Sequence, residues 1–263
     1  MLLHSLRRRF AIGAVLLATT FSACAMAGEQ LKQVEATKTL TVGLEGTYPP
    51  FSFVDEGGKL TGFEVELAQA LAKQLGVQAK LQTTKWDGLL AALESKRIDV
   101  VINQVSISEE RRKKYDFSTP YTVSGIQALT LSANKGQINT AADLAGKKVG
   151  VGLGTNYEQW VRANVPKADV RTYEDDPSKI ADLNNKRIDA VLVDRLAALD
   201  MAKKTKDKLA AAGEPFSRIE SGIALRKGEP ELLEAIDKAL AQLRADGTLA
   251  ALSNKWFGAD VTQ

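Results

Sequence analysis

Histidine and cysteine are almost missing from this chain of 263 residues. The one histidine is His4 and the one cysteine is Cys24, so every position after 24 lacks both. That part of the chain therefore cannot form Ser-His-Asp or Cys-His nucleophile pairs, disulfide bonds or the usual zinc sites. The sequence speaks against a hydrolase or a metalloenzyme, and we expect no catalytic residue, no metal site and no cofactor.

The first 27 residues have the pattern of an export signal. A basic run at residues 7–9 is followed by an apolar stretch over residues 10–18 and by small residues up to Ala27. The apolar stretch is shorter than the roughly 20 residues that a membrane span needs, which disfavours a transmembrane anchor. We expect cleavage after Ala27 and a periplasmic location. Lipid attachment at Cys24, within FSAC, is an alternative for anchoring, and RRRF matches the twin-arginine pattern weakly.

Acidic residues are absent before Glu29, so the positive net charge comes from the first segment alone. The whole chain has 35 basic and 32 acidic side chains, and 35 less the 3 arginines at residues 7–9 leaves 32 of each sign. A neutral remainder gives no electrostatic reason to expect nucleic acid or an anionic membrane as a partner.

Strand and helix patterns alternate along the rest of the chain, which is typical of an α/β fold. TLTVGLEG at residues 39–46 is rich in β-forming residues. The helical stretch after it places apolar side chains four residues apart, at Phe63, Leu67, Leu71 and Leu75. This spacing predicts a helix with one buried face.

Two pairs of similar segments indicate an internal duplication. SKRIDVVINQ at 95–104 resembles NKRIDAVLVD at 185–194, and TVGLEGT at 41–47 resembles VGVGLGT at 149–155. The apolar runs after both RID segments favour parallel strands that are covered on both faces. The common order of the matches predicts two similar lobes, and chance similarity of α/β segments is the alternative.

The tail helix, which begins at Pro230, has no counterpart in the second set of elements. We expect it to return to the first lobe, so that the chain crosses between the lobes twice, near 124–127 and 219–222. Two crossings form a hinge. The predicted lobes are residues 28–124 together with 221–263, and residues 125–220.

Polar side chains follow the strands of both lobes at their carboxyl ends, where ligands bind in open α/β sheets. If the lobes face each other, these side chains line one cleft. The candidates for ligand binding include Glu45, Tyr48, Asn103, Gln104, Ser106, Thr155, Asn156 and Asp194.

Charges of both signs stand at this predicted cleft. Asp194 ends an apolar run and Glu45 follows a strand, so both are candidates for binding a ligand ammonium group. An ion pair of Asp194 with Arg195 and a solvated Glu45 are the alternatives. Arg111 follows Ser108, which resembles a helix N-cap, and its guanidinium is suited to clamp a carboxylate. A solvated RRKK face is the alternative.

The glycine-rich segment GVGLGT opens a helix in the second half. Thr155 and Glu158 fit a capping box, and the free N–H groups at such a helix start favour an anion. The segment also resembles a dinucleotide loop, with Glu174 about twenty residues further on. Thr155 occupies the third glycine position, however, and an exported protein meets no NAD pool.

Three aromatic residues are candidates for the wall of the pocket. Tyr48 lies in a loop at a strand end, Phe63 begins a helix and Trp86 precedes another. A place in the hydrophobic core is the alternative for each of them. Tyr48 has the position best suited to ligand contact.

Longer segments resemble one family, the polar amino-acid binding proteins of bacterial ABC importers, which are solute-binding proteins of family 3. The segments are LTVGLEGTYPPFSF, GKLTGFEVELAQALAKQLG, KWDGLLAALESKRIDVVINQVSISEERRKKYDFSTPY, KKVGVGLGTNYEQW, RIDAVLVDRLAALD and DGTLAALSNKWFGADVT. The resemblance covers nearly all of the chain after residue 27 and is greatest to the cystine-binding members.

This resemblance implies a two-lobed periplasmic binding protein fold of type II, in which two hinge crossovers join the α/β lobes. It implies a monomer, without enzymatic activity, that closes on a free amino acid and delivers it to an ABC permease in the inner membrane. The contacts that it implies are an ammonium site at Glu45 and Asp194, a carboxylate clamp at Arg111 with main-chain groups of Ser106 and Asn156, and an aromatic wall at Tyr48 and Phe63.

Three residues depart from the relatives that bind basic amino acids. Asn103 and Gln104 stand where those relatives have small hydroxyl residues, and Glu45 stands where they have Asp. These changes suit a longer polar ligand, and we expect L-cystine. Cysteine, glutamine, a basic amino acid, an exported dehydratase of the same fold and a sensory or adhesion module are the alternatives.

Overall fold

A computed structural model describes residues 29–206 and 208–263, so the expected signal and Cys24 lie outside the described residues. The strands of the described part are β1 (Thr39–Leu44), β2 (Thr47–Tyr48), β3 (Ser52–Val54), β4 (Leu60–Thr61), β5 (Gln78–Thr83), β6 (Val100–Val101), β7 (Tyr115–Phe117), β8 (Thr122–Leu131), β9 (Lys148–Gly152), β10 (Asp169–Tyr173), β11 (Ala190–Asp194), β12 (Leu209–Ala212), β13 (Arg218–Ser221) and β14 (Ala224–Arg226).

The helices of the same residues are α1 (Glu29–Thr37), α2 (Phe63–Gln74), α3 (Trp86–Glu94), α4 (Glu109–Arg112), α5 (Asn156–Asn164), α6 (Asp176–Asn184), α7 (Arg195–Lys204), α8 (Pro230–Ala245) and α9 (Thr248–Phe257). Two short 3-10 helices cover Ser132–Gln137 and Ala141–Leu144.

The first lobe is built on a sheet of order β5-β1-β6-β14-β7. β1 is parallel to β5 and β6, whereas β14 is antiparallel to β6 and β7. The predicted buried face of α2 is confirmed, because Phe63, Leu67 and Leu71 are fully buried. α8 packs against α1, α2 and α9, so the tail does return to this lobe.

The second lobe is built on a sheet of order β10-β9-β11-β8-β12. β9 is parallel to β10 and β11, and β8 is antiparallel to β11 and β12. α5 and α6 pack against β9, and α7 packs against β8 and β11. Each lobe therefore has its parallel strands next to helices, and the prediction of a two-lobed α/β fold is confirmed.

Two paired strands connect the lobes. The first half of β8 pairs with β13, with Thr122 opposite Ser221 and Gly125 opposite Arg218, and the second half of β8 belongs to the sheet of the second lobe. β13 leads directly to β14 in the first lobe. The chain thus passes between the lobes through one antiparallel ribbon. The lobe boundaries at 124/125 and 220/221 stay predictions.

The two KRID segments have the same role in the two lobes. The Oδ2 atom of Asp99 accepts a hydrogen bond from Thr41 N at the start of β1, at 2.8 Å. Asp189 does the same for Lys148 N at the start of β9, at 2.7 Å. Each aspartate directly precedes its own strand, β6 or β11, and thereby ties the start of that strand to the backbone of the neighbouring parallel strand.

The isoleucine before each aspartate shows which residues of β1 and β9 correspond to each other in the two lobes. A Cβ atom at Gly43 would lie 2.4 Å from Ile98 Cδ1, and one at Gly150 would lie 2.6 Å from Ile188 Cδ1. Gly43 therefore corresponds to Gly150. The sequence match of residues 41–47 with 149–155 was wrong by one position, a shift that exchanges the two faces of a strand.

The start of α2 depends on Gly62. Its φ is 129°, and a Cβ atom there would lie 2.2 Å from the carbonyl oxygen of Phe51. This close approach holds the β2–β3 turn against the helix start, where Phe51 O accepts a hydrogen bond from Glu64 N at 2.9 Å. The first turn of α2 is thus fixed next to the carboxyl end of β1.

We expect the substitution Gly62→Ala to destabilise the protein much more than Gly58→Ala. Both glycines have a positive φ, but a Cβ atom at Gly58 would meet nothing within 4 Å. Gly58→Ala costs only the backbone strain, about 1 kcal/mol, and Gly62→Ala adds a backbone clash of roughly 2 kcal/mol or more. Urea unfolding of both variants measures the difference, and equal losses would contradict this account of the helix start.

Candidate ligand-binding site

A cavity lies between the lobes at the carboxyl ends of their parallel strands. Its free space is about 560 Å3, including the part that is open to solvent. The predicted site residues among those that line it are Glu45, Tyr48, Trp86, Asn103, Gln104, Thr155 and Asn156. The structure brings these residues of both lobes together, and their contact with a ligand stays a prediction.

Glu45 and Asn103 hold each other at the ends of β1 and β6. Asn103 Nδ2 donates to Glu45 Oε2 at 2.8 Å, and Glu45 N donates to Asn103 Oδ1 at 2.8 Å. Burial raises the pKa of Glu45 to about 7, while the hydrogen bond from Asn103 lowers it and nearby Asp176 raises it. The Glu45 carboxyl group is therefore poised between its two protonation states near neutral pH.

Gln104 is held in place by the buried carboxyl group of Glu64. Its backbone N and its Nε2 donate to Glu64 Oε1 at 2.6 and 3.2 Å, and the Tyr121 hydroxyl donates to the same oxygen at 2.5 Å. Thr122 Oγ1 donates to Gln104 Oε1 at 2.9 Å. These bonds hold the backbone of Gln104 at a φ of 47°, a conformation that residues other than glycine rarely adopt.

Arg111 lies next to the cavity and is not among the residues that line it. Ser108 is the N-cap of α4, as predicted, and accepts from Arg111 N at 3.2 Å. The guanidinium group donates from Nη1 to the carbonyl and hydroxyl oxygens of Ser106 and lies 5.3 Å from the centre of the Trp86 ring. Arg111 is 8 % exposed, and burial lowers its pKa.

Arg111 forms no ion pair with any acid in residues 29–206 and 208–263. The alternative of a solvated RRKK face is therefore wrong for Arg111, although its three basic neighbours are exposed. Ser106, which fixes the guanidinium, is buried as well and is likewise not among the residues that line the cavity.

Asp194 ends β11 and is the N-cap of α7. It is 1 % exposed, and its Oδ1 accepts from Ser124 Oγ at 2.8 Å and from Leu196 N at 2.7 Å. Burial raises its pKa to about 6. Its other oxygen, Oδ2, has no hydrogen-bond partner among the described residues. The alternative of an ion pair with Arg195 is wrong, although Arg195 lowers the pKa of Asp194 from a distance.

Asp194 itself is not part of the cavity lining, but its neighbour Val193 is. Burial raises the pKa of Tyr157 most, the negative charge of Asp194 raises it further and the positive charge of Arg111 lowers it. Arg111 and Asp194 therefore both act electrostatically on the same tyrosine of the cavity lining.

The start of α5 is capped largely as predicted. Thr155 Oγ1 accepts from Glu158 N at 3.3 Å. The return bond of the expected capping box is different, because Glu158 Oε2 accepts from Gly154 N at 2.8 Å and not from Thr155 N. Asn156 follows as the first residue of the helix and lines the cavity.

The lobes touch each other across the cavity in this structure. The hydroxyl groups of Tyr48 and Tyr157 are 3.3 Å apart, and Lys85 of the first lobe forms an ion pair with Glu174 of the second. The latter pair is exposed and so contributes little energy. These contacts describe a closed arrangement of the two lobes.

Phe63 is not among the residues that line the cavity, and its place in the pocket wall stays a prediction. Its side chain is fully buried in the core of the first lobe, 4.9 Å from the Phe257 ring centre and 6.3 Å from that of Tyr121. It is the first residue of α2.

Several cavity residues were missed by the sequence reasoning because they lie on helices and not at strand ends. Tyr157 is the second residue of α5. Asp176 and Lys179 lie one turn apart on α6, and Lys179 is only 2 % exposed. A lysine four residues before the fully buried Leu183 was the available signal, since the buried face of a helix is normally apolar.

Within the described ranges, no cluster of three or more His, Cys, Asp or Glu side chains is arranged to hold a metal ion. None of the helices in those ranges combines the length and the apolar character needed to cross a bilayer.

The sequence profile of the bacterial extracellular solute-binding proteins, family 3, matches residues 40–259. The chain belongs to this family. The matched range spans both lobes and every strand around the cavity.

Relatives within and near the family are similar over most of their length. The L-cystine-binding protein TcyJ of Escherichia coli K12 is 69 % identical over 233 residues, which are 89 % of this chain and 88 % of the relative. An ancestral arginine-binding protein bound to arginine is 43 % identical, with a TM-score of 0.81 over 84 % of this chain and 99 % of that one.

A third similar protein is the ancestral amino acid-binding protein AncCDT-1, a precursor of cyclohexadienyl dehydratase. Its structure is 38 % identical with a TM-score of 0.80, over 86 % of this chain and 98 % of that one.

The unliganded protein should become less stable as the pH rises from 5 to 8. Burial raises the pKa of Glu64 to about 7 and that of Asp194 to about 6, so the folded state holds these protons after the unfolded chain has released them. Stability gained by protonation is therefore lost as the pH rises from the unfolded pKa through the folded one. Each proton contributes a slope of up to about 1.4 kcal/mol per pH unit.

Urea unfolding at several pH values measures this slope. Glu64→Gln removes one of the two titrating carboxyl groups. The slope should therefore become less steep by up to about 1.4 kcal/mol per pH unit, the contribution of one proton. Equal slopes in the two proteins would contradict the raised pKa of Glu64.

Proposed function

We propose that this chain is a solute-binding protein that captures L-cystine between its lobes and delivers it to an ABC permease. The observation that carries the proposal is the 69 % identity to an L-cystine-binding protein over 89 % of the chain. At this identity the residues around the cavity are expected to have the same arrangement in both proteins. The polar, partly charged lining suits a zwitterionic ligand.

Arg111 and Asp194 hold the two charges of one amino-acid end. Both are buried, neither has an ion-pair partner among the described residues, and they come from different lobes. The ligand carboxylate binds the guanidinium group, and the α-ammonium group binds the free oxygen of Asp194. Each charge-assisted hydrogen bond contributes about 1.5–3 kcal/mol, so a few of them account for micromolar affinity, about 8 kcal/mol.

The remaining contacts are neutral or aromatic. Main-chain groups at Ser106 and Asn156 complete the carboxylate site, with the N-terminus of α5 behind Thr155. The rings of Tyr48 and Trp86 cover the ligand. Asn103 and Gln104 contact the part of the ligand beyond its first head group, together with Glu45.

The lobes, residues 28–124 with 221–263 and residues 125–220, close on the ligand by bending of the β8–β13 ribbon. The protein acts as a monomer in the periplasm after removal of residues 1–27, and lipid attachment at Cys24 is the alternative for anchoring. The closed form docks on a permease in the inner membrane. The protein has no enzymatic activity in this proposal.

A dehydratase of the same fold is the second candidate. The pKa of Glu45, raised to about 7, would suit a general acid, and one similar structure is a precursor of such an enzyme. Isothermal titration against the amino acids and cystine, with and without a reductant, should give the strongest binding for cystine without it. Incubation with arogenate or prephenate should give no product. A heat of binding seen only with a basic or aromatic amino acid would contradict the assignment of cystine as the ligand. Product formation would contradict the proposal that the protein has no enzymatic activity.

Substitution of either charged residue should weaken cystine binding. Arg111→Ala and Asp194→Ala each leave a ligand charge buried without its partner, so we expect a loss of about 2 kcal/mol or more. Lys113→Ala is the matched control, because Lys113 is an exposed cation two residues after Arg111. Isothermal titration measures all three variants. A variant of Arg111 or Asp194 with unchanged affinity would remove that residue from the site.

A further inference from the structure

Lys179 is an unusual residue for the wall of this cavity. Its side chain is 2 % exposed, and its Nζ lies 2.6 Å from Asp176 Oδ1, one turn earlier on α6. Removing two charges from water costs several kcal/mol each, and an apolar pair of similar volume is often as stable or more stable. The ion pair therefore has no evident advantage for the folding of α6.

A third charged group faces this pair from the other lobe. Glu45, at the end of β1, shares the cavity with Lys179 and Asp176, and its carboxyl group interacts electrostatically with both. The second oxygen of Asp176, Oδ2, is buried without a hydrogen-bond partner among the described residues. The ammonium group of Lys179 has three N–H donors, more than its one ion pair uses.

These three residues repeat the pattern of charge that Arg111 and Asp194 provide. There is one buried cation, there are carboxylate oxygens without full hydrogen bonding, and the two lobes contribute from opposite sides. The two sets lie on different elements, α4 and β11 for the first and β1 and α6 for the second. One zwitterion cannot satisfy both sets.

We propose that Lys179, Asp176 and Glu45 form a second head-group site, so that the cavity selects ligands with an amino-acid group at each end. This inference rests on the proposed function. Lys179 binds the distal α-carboxylate, and Asp176 and Glu45 bind the distal α-ammonium group. In a disulfide-linked pair the two Cα atoms are roughly 5.5–6 Å apart, so the second head group of cystine stays close to the first. An amino acid with a single head group reaches only one set of charges.

Wild-type protein tests the inference with two disulfides. The first is L-cystine, and the second is the mixed disulfide of L-cysteine and cysteamine, which keeps one complete head, the disulfide and the distal ammonium group and lacks only the distal carboxylate. We expect isothermal titration without reductant to show at least about tenfold weaker binding of the mixed disulfide, the effect of one lost charged contact. Equal affinities would overturn the role of Lys179.

The variant Lys179→Met completes the cycle. It should bind cystine at least about tenfold more weakly than the wild type and bind the mixed disulfide within about threefold of it, because that ligand has no group for Lys179. Lys238→Met is the matched control, since Lys238 also forms an ion pair one turn away on a helix but is 74 % exposed on α8.

The outcomes separate this inference from the proposed function. A wild-type protein that binds no cystine overturns both. A wild-type protein that binds cystine well, combined with a Lys179→Met variant that loses affinity for both disulfides equally, overturns the second head-group site alone and assigns the ion pair a structural role. If Lys179→Met does not fold, the comparison of the two ligands on the wild type decides the question.

Discussion

The burial of carboxyl groups without an ion-pair partner is the constraint on which the rest of this molecule depends. Asp194 and Glu64 are both almost inaccessible to water, and neither forms an ion pair with a described residue. Each is held by hydrogen-bond donors instead, hydroxyl and backbone N–H groups that the fold supplies at strand ends and helix starts. Such donors reduce the cost of burial and do not remove it. In the proposed complex, the ammonium group of a zwitterionic ligand supplies the partner that Oδ2 of Asp194 lacks among the described residues.

The duplicated architecture could be predicted because its determinants are short. The motif KRID contains the aspartate that ties two parallel strands together and the isoleucine that packs on a glycine of the neighbouring strand. The register of the match could not be predicted, since it depends on the contacts of Ile98 with Gly43 and of Ile188 with Gly150. These contacts join residues that are distant in the sequence.

The cleft could be predicted in part for a related reason. Residues that closely follow parallel strands, such as Glu45 and Asn103, come together because strand direction fixes where those ends lie. Helical residues follow no such rule, because the face that points to the cleft depends on how the helix packs. Lys179 was therefore left out although it lines the cavity.

The connection between the lobes has a mechanical consequence. β8 and β13 are hydrogen-bonded to each other where they pass from one lobe to the other, so they act as a single strap and not as two independent tethers. A strap of this kind flexes and twists readily but resists sliding of one strand along the other. An opening of the lobes of the kind proposed above would therefore follow one path, and side chains such as Tyr48 and Tyr157, which meet in this structure, would meet again on closure.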